Sequence, residues 1–525
     1  MSPSHPIDPE PEEIITDQAE ATNLVADNSA EAHSLRLGRA ANQPPKHRLT
    51  RRVVTGVGWN ASSSLISQLI GFIRSIVIAR LLVPEEFGLF SMAMTIMLGL
   101  TALTTLGLDQ TILARKFDSD SELRAQLDTV WSAELMRTLL LTLLLLACAY
   151  PVSSFYGQPK LLGLVSILSL ATLFDGMRNI GLALLRKQIS FARIFWYELT
   201  TNITAAVLTI ALAVRFRSVW ALVLGQIIAA ALGMLLSYAF HPYRPRFAFD
   251  RVAFKRVLNF GKFGLVIAIG SYITTTADNV VVGRLLGARA LGNYALAYNL
   301  ASFPIGVLVF ALSKVTLPAF AELAATVPAR VDNAFTRVFT LSALLLISLQ
   351  VPLFILSADV VQVLYGPKWS VAAPVLRVLS LIIPLRGLVL IINSFLVGLN
   401  RPRPVATGKV FEAALFLCLL FPMTRALGLT GAAWSGIIVY AFALINRIVI
   451  LRRNMPGLEN RLAWISLSAL VAAGVGLFVA DFGLSFLESL FPRILLGGLL
   501  ATSAPAVLLL LMRADLRRWI VETAR

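Results

Sequence analysis

Charged residues are scarce in this sequence: Asp, Glu, Lys and Arg make up 14% of its 525 residues. Soluble domains carry about a quarter, so an ordinary soluble fold is excluded. Histidine is scarcer still. His5, His33, His47 and His241 all lie outside the apolar runs, which excludes a histidine-based metal site within a membrane. The two cysteines, Cys148 and Cys418, each sit inside an apolar segment with no metal-binding spacing. They read as two packed thiols. No P-loop, HExxH or other catalytic constellation occurs, and no cofactor is expected. The ten-residue alternation of a membrane β-barrel is also missing.

What is abundant is apolar sequence, at 57% hydrophobic. From residue 53 to the C-terminus, Leu, Ala and Ile build runs of about 20 residues, the length that crosses a bilayer. The expected fold class is therefore all-α, a polytopic membrane protein with about fourteen transmembrane helices. Spans are expected near 55–79, 87–112, 130–150, 161–185, 195–214, 218–240, 260–282, 292–315, 335–357, 372–397, 405–424, 428–450, 462–481 and 489–512. Residues 1–45 are acidic, contain proline and lack apolar periodicity, and read as a disordered cytoplasmic tail.

The net charge of +17 does not point to nucleic acid. Its Lys and Arg lie in short loops and alternate with the spans. The basic side includes Arg51, Arg52, Lys116, Arg186, Arg244, Arg337, Lys409, Arg453 and Arg517. The positive-inside rule places that side, and both termini, in the cytoplasm. The expected organisation is a six-helix lobe over 46–240, a basic linker over 241–260, a second six-helix lobe over 261–455, and two further helices within 456–525. The linker, with alternating Arg and Phe, reads equally as an amphipathic stretch on anionic lipid or as a plain connector.

The halves echo each other. Ala79-Arg80-Leu81-Leu82 with Phe87-Gly88-Leu89-Phe90 returns as Gly283-Arg284-Leu285-Leu286 with Leu291-Gly292-Asn293-Tyr294. Tyr156-Gly157 returns as Tyr365-Gly366 in the corresponding loop. Six spans separate the copies, so the halves are parallel repeats, an arrangement used by alternating-access transporters. Gly88 and Gly292 could let a helix start tightly after a short loop, but the favoured reading is a turn shared by the two copies, without a transport role.

Ionisable residues at bilayer depth usually face a cavity or a partner. The repeat places Asp278 where the first half has Arg74, so the two are expected to face each other across a central cleft. Asp175 and Arg178 can pair on one helix face. Aligning the Leu-Ser-Leu runs at 168–170 and 379–381 sets Arg386 opposite Asp175. Arg74, Asp278, Asp175, Arg178 and Arg386 are thus the candidate cleft residues, suited by arginine to a phosphate. Packing pairs are the alternative. Asp109, Glu134 and Lys314 lie near span ends, where they can reach the interface.

Trp59-Asn60, IVIARLLVPEEFGLFSMAM, TTLGLDQTILAR and TTTADNVVVGRLLGARALGNYALAYNLASFPIGVL resemble the polysaccharide biosynthesis transporters. These are the O-antigen and exopolysaccharide flippases of the multidrug, oligosaccharidyl-lipid and polysaccharide exporter superfamily. The resemblance covers most of residues 53–455. It implies transfer of an undecaprenyl-diphosphate-linked oligosaccharide across the bacterial inner membrane, coupling to a proton or sodium ion, and a polysaccharide polymerase as a partner. An ion-coupled multidrug exporter of the same fold and a membrane enzyme of polysaccharide assembly are the competing readings. Mixed charges with prominent arginines speak against the first, and loops shorter than about 25 residues, near ordinary connector lengths, against the second.

Overall fold

The computed structural model describes residues 46–104, 119–187, 190–248, 251–326, 331–399, 401–454 and 460–468, together with 471 and 474. The first half contains α1 (Lys46–Leu81), α2 (Pro84–Thr104), α3 (Asp120–Tyr156), α4 (Lys160–Gly176), α5 (Gly181–Lys187), α6 (Phe191–Phe216) and α7 (Val219–Phe240). The second contains α8 (Arg251–Thr326), α9 (Val331–Ile355), α10 (Ser357–Tyr365), α11 (Ala372–Ser380), α12 (Ile382–Gly398) and α13 (Pro402–Asn454). The tail at 1–45, Asp109 and the expected span at 489–512 lie outside the described residues.

Local chemistry sets several helix ends. Ser119 is extended, and its hydroxyl accepts the Glu122 N–H at 3.1 Å, capping α3. Gly157 ends the same helix with φ 64°, its N–H turned back to the Ser153 and Ser154 carbonyls. Gly287 (φ 85°, ψ 177°) breaks α8 and Gly428 (φ 63°, ψ −138°) breaks α13. Backbone there is open to glycine and strained for other residues. The apolar part of α8 runs over 43 residues and that of α13 over 51. At about 1.5 Å per residue each is roughly twice as long as a 30 Å hydrocarbon core needs, so each crosses twice.

Eight helices are long and apolar enough to span, and ten spans result when the bent pairs α4/α5 and α11/α12 each count as one. The two glycine breaks raise this to twelve passages among the described residues. These correspond in order to the first twelve expected spans. One cysteine departs from the expected packing: Cys148 is half-buried against the core, but Cys418 is exposed on α13.

The repeat is a contact between the halves. A methyl built on Gly88 would stand 1.8 Å from the Ala288 carbonyl oxygen. One on Gly292 would stand 1.8 Å from the Pro84 carbonyl oxygen. Pro84 and Ala288 hold equivalent places in the two copies, as do Gly88 and Gly292. The contact is therefore reciprocal, as across a two-fold axis. This corrects the reading of the glycines as turn residues or helix starters: both lie inside helices, and their missing side chains let two backbones touch.

The second echo meets the first crosswise. Arg80 donates from Nε to the Leu364 carbonyl at 2.8 Å and from Nη2 to that of Val363. Lys368 Nζ returns a bond to the Arg80 carbonyl at 2.8 Å. The buried Trp369 donates to the Ala79 carbonyl at 2.9 Å, its ring edge-on to Phe87. In the other half Arg284 lies over the Phe155 ring, and Gly283 makes room for Tyr156. Each Arg-Leu-Leu segment thus packs on the Tyr-Gly turn of the opposite half.

At the other end of the bundle, residues 241–248 form an extended strap on the first half. Asn179 donates to the carbonyls of His241 (3.2 Å) and Tyr243 (2.6 Å). Asp128 accepts the Tyr243 hydroxyl and the Arg246 N–H, and Ser132 Oγ accepts the Ala248 N–H at 3.0 Å. Helix α8 takes over at Arg251, before the expected end of the linker. His241 is buried in this strap with its ring against Gly181. Burial, with Arg193 and Arg244 nearby, pushes its pKa down to about 4.

Candidate substrate cavity

Helix α1 presents Gln68, Gly71, Arg74, Ser75 and Ile78 along one face, at the three-to-four-residue recurrence of a helix. This face borders an open-sided cavity of 360 Å³, lined further by α2, α6, α7, the part of α8 after Gly287 and Tyr365 of α10. A second cavity of 300 Å³ lies among Arg74, Arg178, Tyr197, Glu198, Asn202 and Gln226. Arg74 and Gln226 line both, so the two form adjoining chambers.

Among the described residues no carboxylate pairs with Arg74, and only burial acts on its charge. Several other cations of the first half have carboxylate partners. Arg178 Nη2 lies 2.6 Å from Asp175, Arg186 lies 3.8 Å from Glu198, and Arg137 pairs with Glu134. Glu198 also accepts a hydrogen bond from Ser63. The Arg178–Asp175 pair is two-fifths exposed on each side, which limits its contribution to about 0–1 kcal/mol. Among the described residues Arg178 Nε is buried without a hydrogen-bond partner. Arg74 and Arg178 thus share a chamber, one without a carboxylate partner among the described residues and one weakly held. Among the described residues no group of three His, Cys, Asp or Glu side chains could hold a metal.

The family model for polysaccharide biosynthesis proteins matches residues 77–374. The chain belongs to this family. The succinoglycan biosynthesis transport protein ExoT of Rhizobium meliloti is 25% identical over 499 residues, spanning 90% of this chain and 96% of ExoT. The lipopolysaccharide biosynthesis protein WzxC of Escherichia coli is 26% identical over 388 residues, spanning 73% of this chain and 78% of WzxC. Among solved structures, the lipid II flippase MurJ in an inward closed conformation matches with TM-score 0.68 and 16% identity. That match covers 85% of this chain and 97% of MurJ, and it shows the transporter fold of this family member.

The structure does not bring Asp278 and Arg74 together. Asp278 is 3% exposed and lies inside the second half. It accepts the Tyr294 hydroxyl at 2.8 Å and the Asn279 N–H at 2.9 Å. Arg386 likewise points into the second half. Its Nη1 donates to the Tyr298 hydroxyl at 2.9 Å, and its guanidinium sits between the Tyr298 and Tyr440 rings. Neither residue lines either chamber, and Arg386 does not face Asp175. The physical reason is hydrogen bonding. A carboxylate in an apolar span needs donors, and Tyr294, beyond the Gly287 break, supplies one from inside the half. The second half instead offers Asn299, Ser302 and Phe303 to the cavity.

Two groups of polar residues were not singled out from sequence. The first is the uncharged set Gln68, Gln226 and Asn299, whose signal would have been amides within apolar spans. The second is the set of partners around Glu412, which the sequence itself marks as an ionisable residue at bilayer depth. Arg447, fully buried, donates to Glu412 Oε1 and to Asn393 Oδ1, both at 2.7 Å. Lys409 donates to Glu412 Oε2 at 2.7 Å. Lys409 had been counted with the basic loop residues, but it is buried in this trio.

Proposed function

We propose that this protein is a flippase moving an undecaprenyl-diphosphate-linked oligosaccharide from the cytoplasmic to the periplasmic leaflet of the bacterial inner membrane. Arg74 carries this reading. A half-buried guanidinium with no carboxylate partner among the described residues, at the junction of two chambers, suits a diphosphate that can accept its paired N–H donors. Arg178 is the second cation of the site.

Names of relatives support the pathway, exopolysaccharide or lipopolysaccharide export. They also support a transporter rather than an enzyme. The Lys and Arg bias puts both termini in the cytoplasm. On that orientation the crossed contacts of Gly88 and Gly292 close the periplasmic end. Two lobes, 46–240 and 261–455, would then rock about the chambers, with a proton or sodium ion as the coupling ion and a polysaccharide polymerase receiving the product. A cationic drug is a poor fit, because among the described residues no carboxylate lines the larger chamber.

The test is genetic. A strain lacking the gene should lose its surface polysaccharide, the wild-type gene should restore it, and Arg74→Ala should not. Normal export from Arg74→Ala at normal protein level would end this reading.

A further inference from the structure

The two chambers differ in chemistry although they share Arg74 and Gln226. The smaller one is ionic, with Arg178 and Glu198. The larger one is bordered by three amides, Gln68, Gln226 and Asn299, and by aromatic rings, with Arg74 its one charged group among the described residues. We infer that the larger chamber is the glycan subsite, in which Gln226 and Asn299 read the hydroxyls of the sugar nearest the diphosphate. This rests on the reading of Arg74 as the diphosphate anchor.

An amide both donates and accepts hydrogen bonds, and so does a sugar hydroxyl. An ionised carboxylate only accepts, and a guanidinium or ammonium only donates. Among the described residues, neither the Gln226 nor the Asn299 side chain has a hydrogen-bonded protein partner. Asn299 is exposed and Gln226 half-buried, so both amides are open to a guest, and a guest rich in hydroxyls can pair with them. An alkyl chain would leave the amides unsatisfied. A cationic amphiphile would meet Arg74 and no carboxylate.

The apolar part of the chamber fits the same guest. Phe72 of α1 and Phe303 of α8 stack on each other at 4.3 Å across the two halves, which leaves one face of each ring for the C–H face of a pyranose. At 360 Å³ the chamber is near the lower end of the roughly 300–1,000 Å³ that encloses small ligands. That is room for the first sugars and not for a whole oligosaccharide. Gln68 reaches across as well: its amide oxygen lies 2.1 Å from where a Gly306 side chain would begin. Gln226 belongs to the first half and Asn299 to the second, so a sugar held by both would bridge them.

The experiment uses the purified full chain in detergent and two probes. One is undecaprenyl diphosphate without sugar. The other is the same lipid carrying a single hexose, glucose and galactose being titrated separately. Wild type should bind at least one hexosyl lipid about tenfold more tightly than the bare lipid, the scale of one or two net hydrogen bonds. The near-isosteric Gln226→Leu and Asn299→Leu should each remove most of that gain without weakening the bare lipid. If a Leu variant has a lowered thermal midpoint, Gln226→Ala or Asn299→Ala is read in its place.

Equal binding of bare and hexosyl lipids by wild type would overturn the subsite. So would variants that keep the difference or weaken both probes alike. Arg74→Ala is the separate arm. Unchanged bare-lipid binding there would remove the diphosphate anchor, while the hexose difference still reports on the amides.

Discussion

Gly88 and Ala288 touch backbone to backbone, across equivalent segments of the two halves. A methyl on Gly88 would lie 1.8 Å from the Ala288 carbonyl oxygen. No side chain can rotate away to relieve such a contact. Gly88→Ala and Gly292→Ala should therefore push the halves apart at this end. Overpacking costs about 1–3 kcal/mol, equivalent to roughly a 5- to 150-fold shift between conformations. Spin labels placed across the end should report longer distances in either variant. An unchanged distance distribution would show that the contact does not set the closed state.

Arg74 should be sensitive to shape as well as charge. Arg74→Lys keeps a cation but loses the planar fork. Export by Arg74→Lys is expected between that of wild type and that of Arg74→Ala, each normalised to protein in the membrane. Full activity of the Lys variant would mean that a point charge suffices.

The trio of Lys409, Glu412 and Arg447 should stabilise the second half only as a set. Glu412→Gln leaves two buried cations uncompensated, and breaking a buried pair costs about 3–5 kcal/mol. The triple change Lys409→Met, Glu412→Leu, Arg447→Met should cost less than Glu412→Gln alone, because no charge is stranded. Thermal unfolding in detergent distinguishes the two. A triple variant less stable than Glu412→Gln would show that the trio contributes more than charge balance.

His241 should make the strap sensitive to acid. Its pKa falls from 6.5 to about 4 on folding, so the unfolded chain binds more protons between those values. Stability is then full above about pH 6.5, and it declines as pH falls toward 4. The loss between pH 7 and pH 5 is about 2 kcal/mol at most. His241→Asn should flatten this part of the pH dependence of the thermal midpoint. A variant retaining the wild-type slope would assign it to other groups.

Much of the fold could be read in the sequence because lipid imposes simple constraints. Apolar length gave twelve passages in order, and the Arg-Leu-Leu and Tyr-Gly echoes marked the segments that meet at one end. Arg74 and Arg178 could be found because a charge stands out in an apolar run. Gln226 and Asn299 could not, since an amide there carries no such contrast. Asp278 shows the limit of repeat alignment. It matches Arg74 in position along its helix, but the partners of a buried carboxylate decide which way it turns, and Tyr294 lies sixteen residues away in sequence. Lys409 was misplaced for the same reason, because Glu412 and Tyr440 hold it inside.

The crossed packing of the two copies bears on how tight the membrane stays. Arg80 and Trp369 seal one side, and Arg284 with Tyr156 the other, while Gly88 and Gly292 join the middle. The two sides belong to one reciprocal joint, so parting the halves loosens both together. Thermal motion confined to one loop leaves the contacts on the opposite side in place.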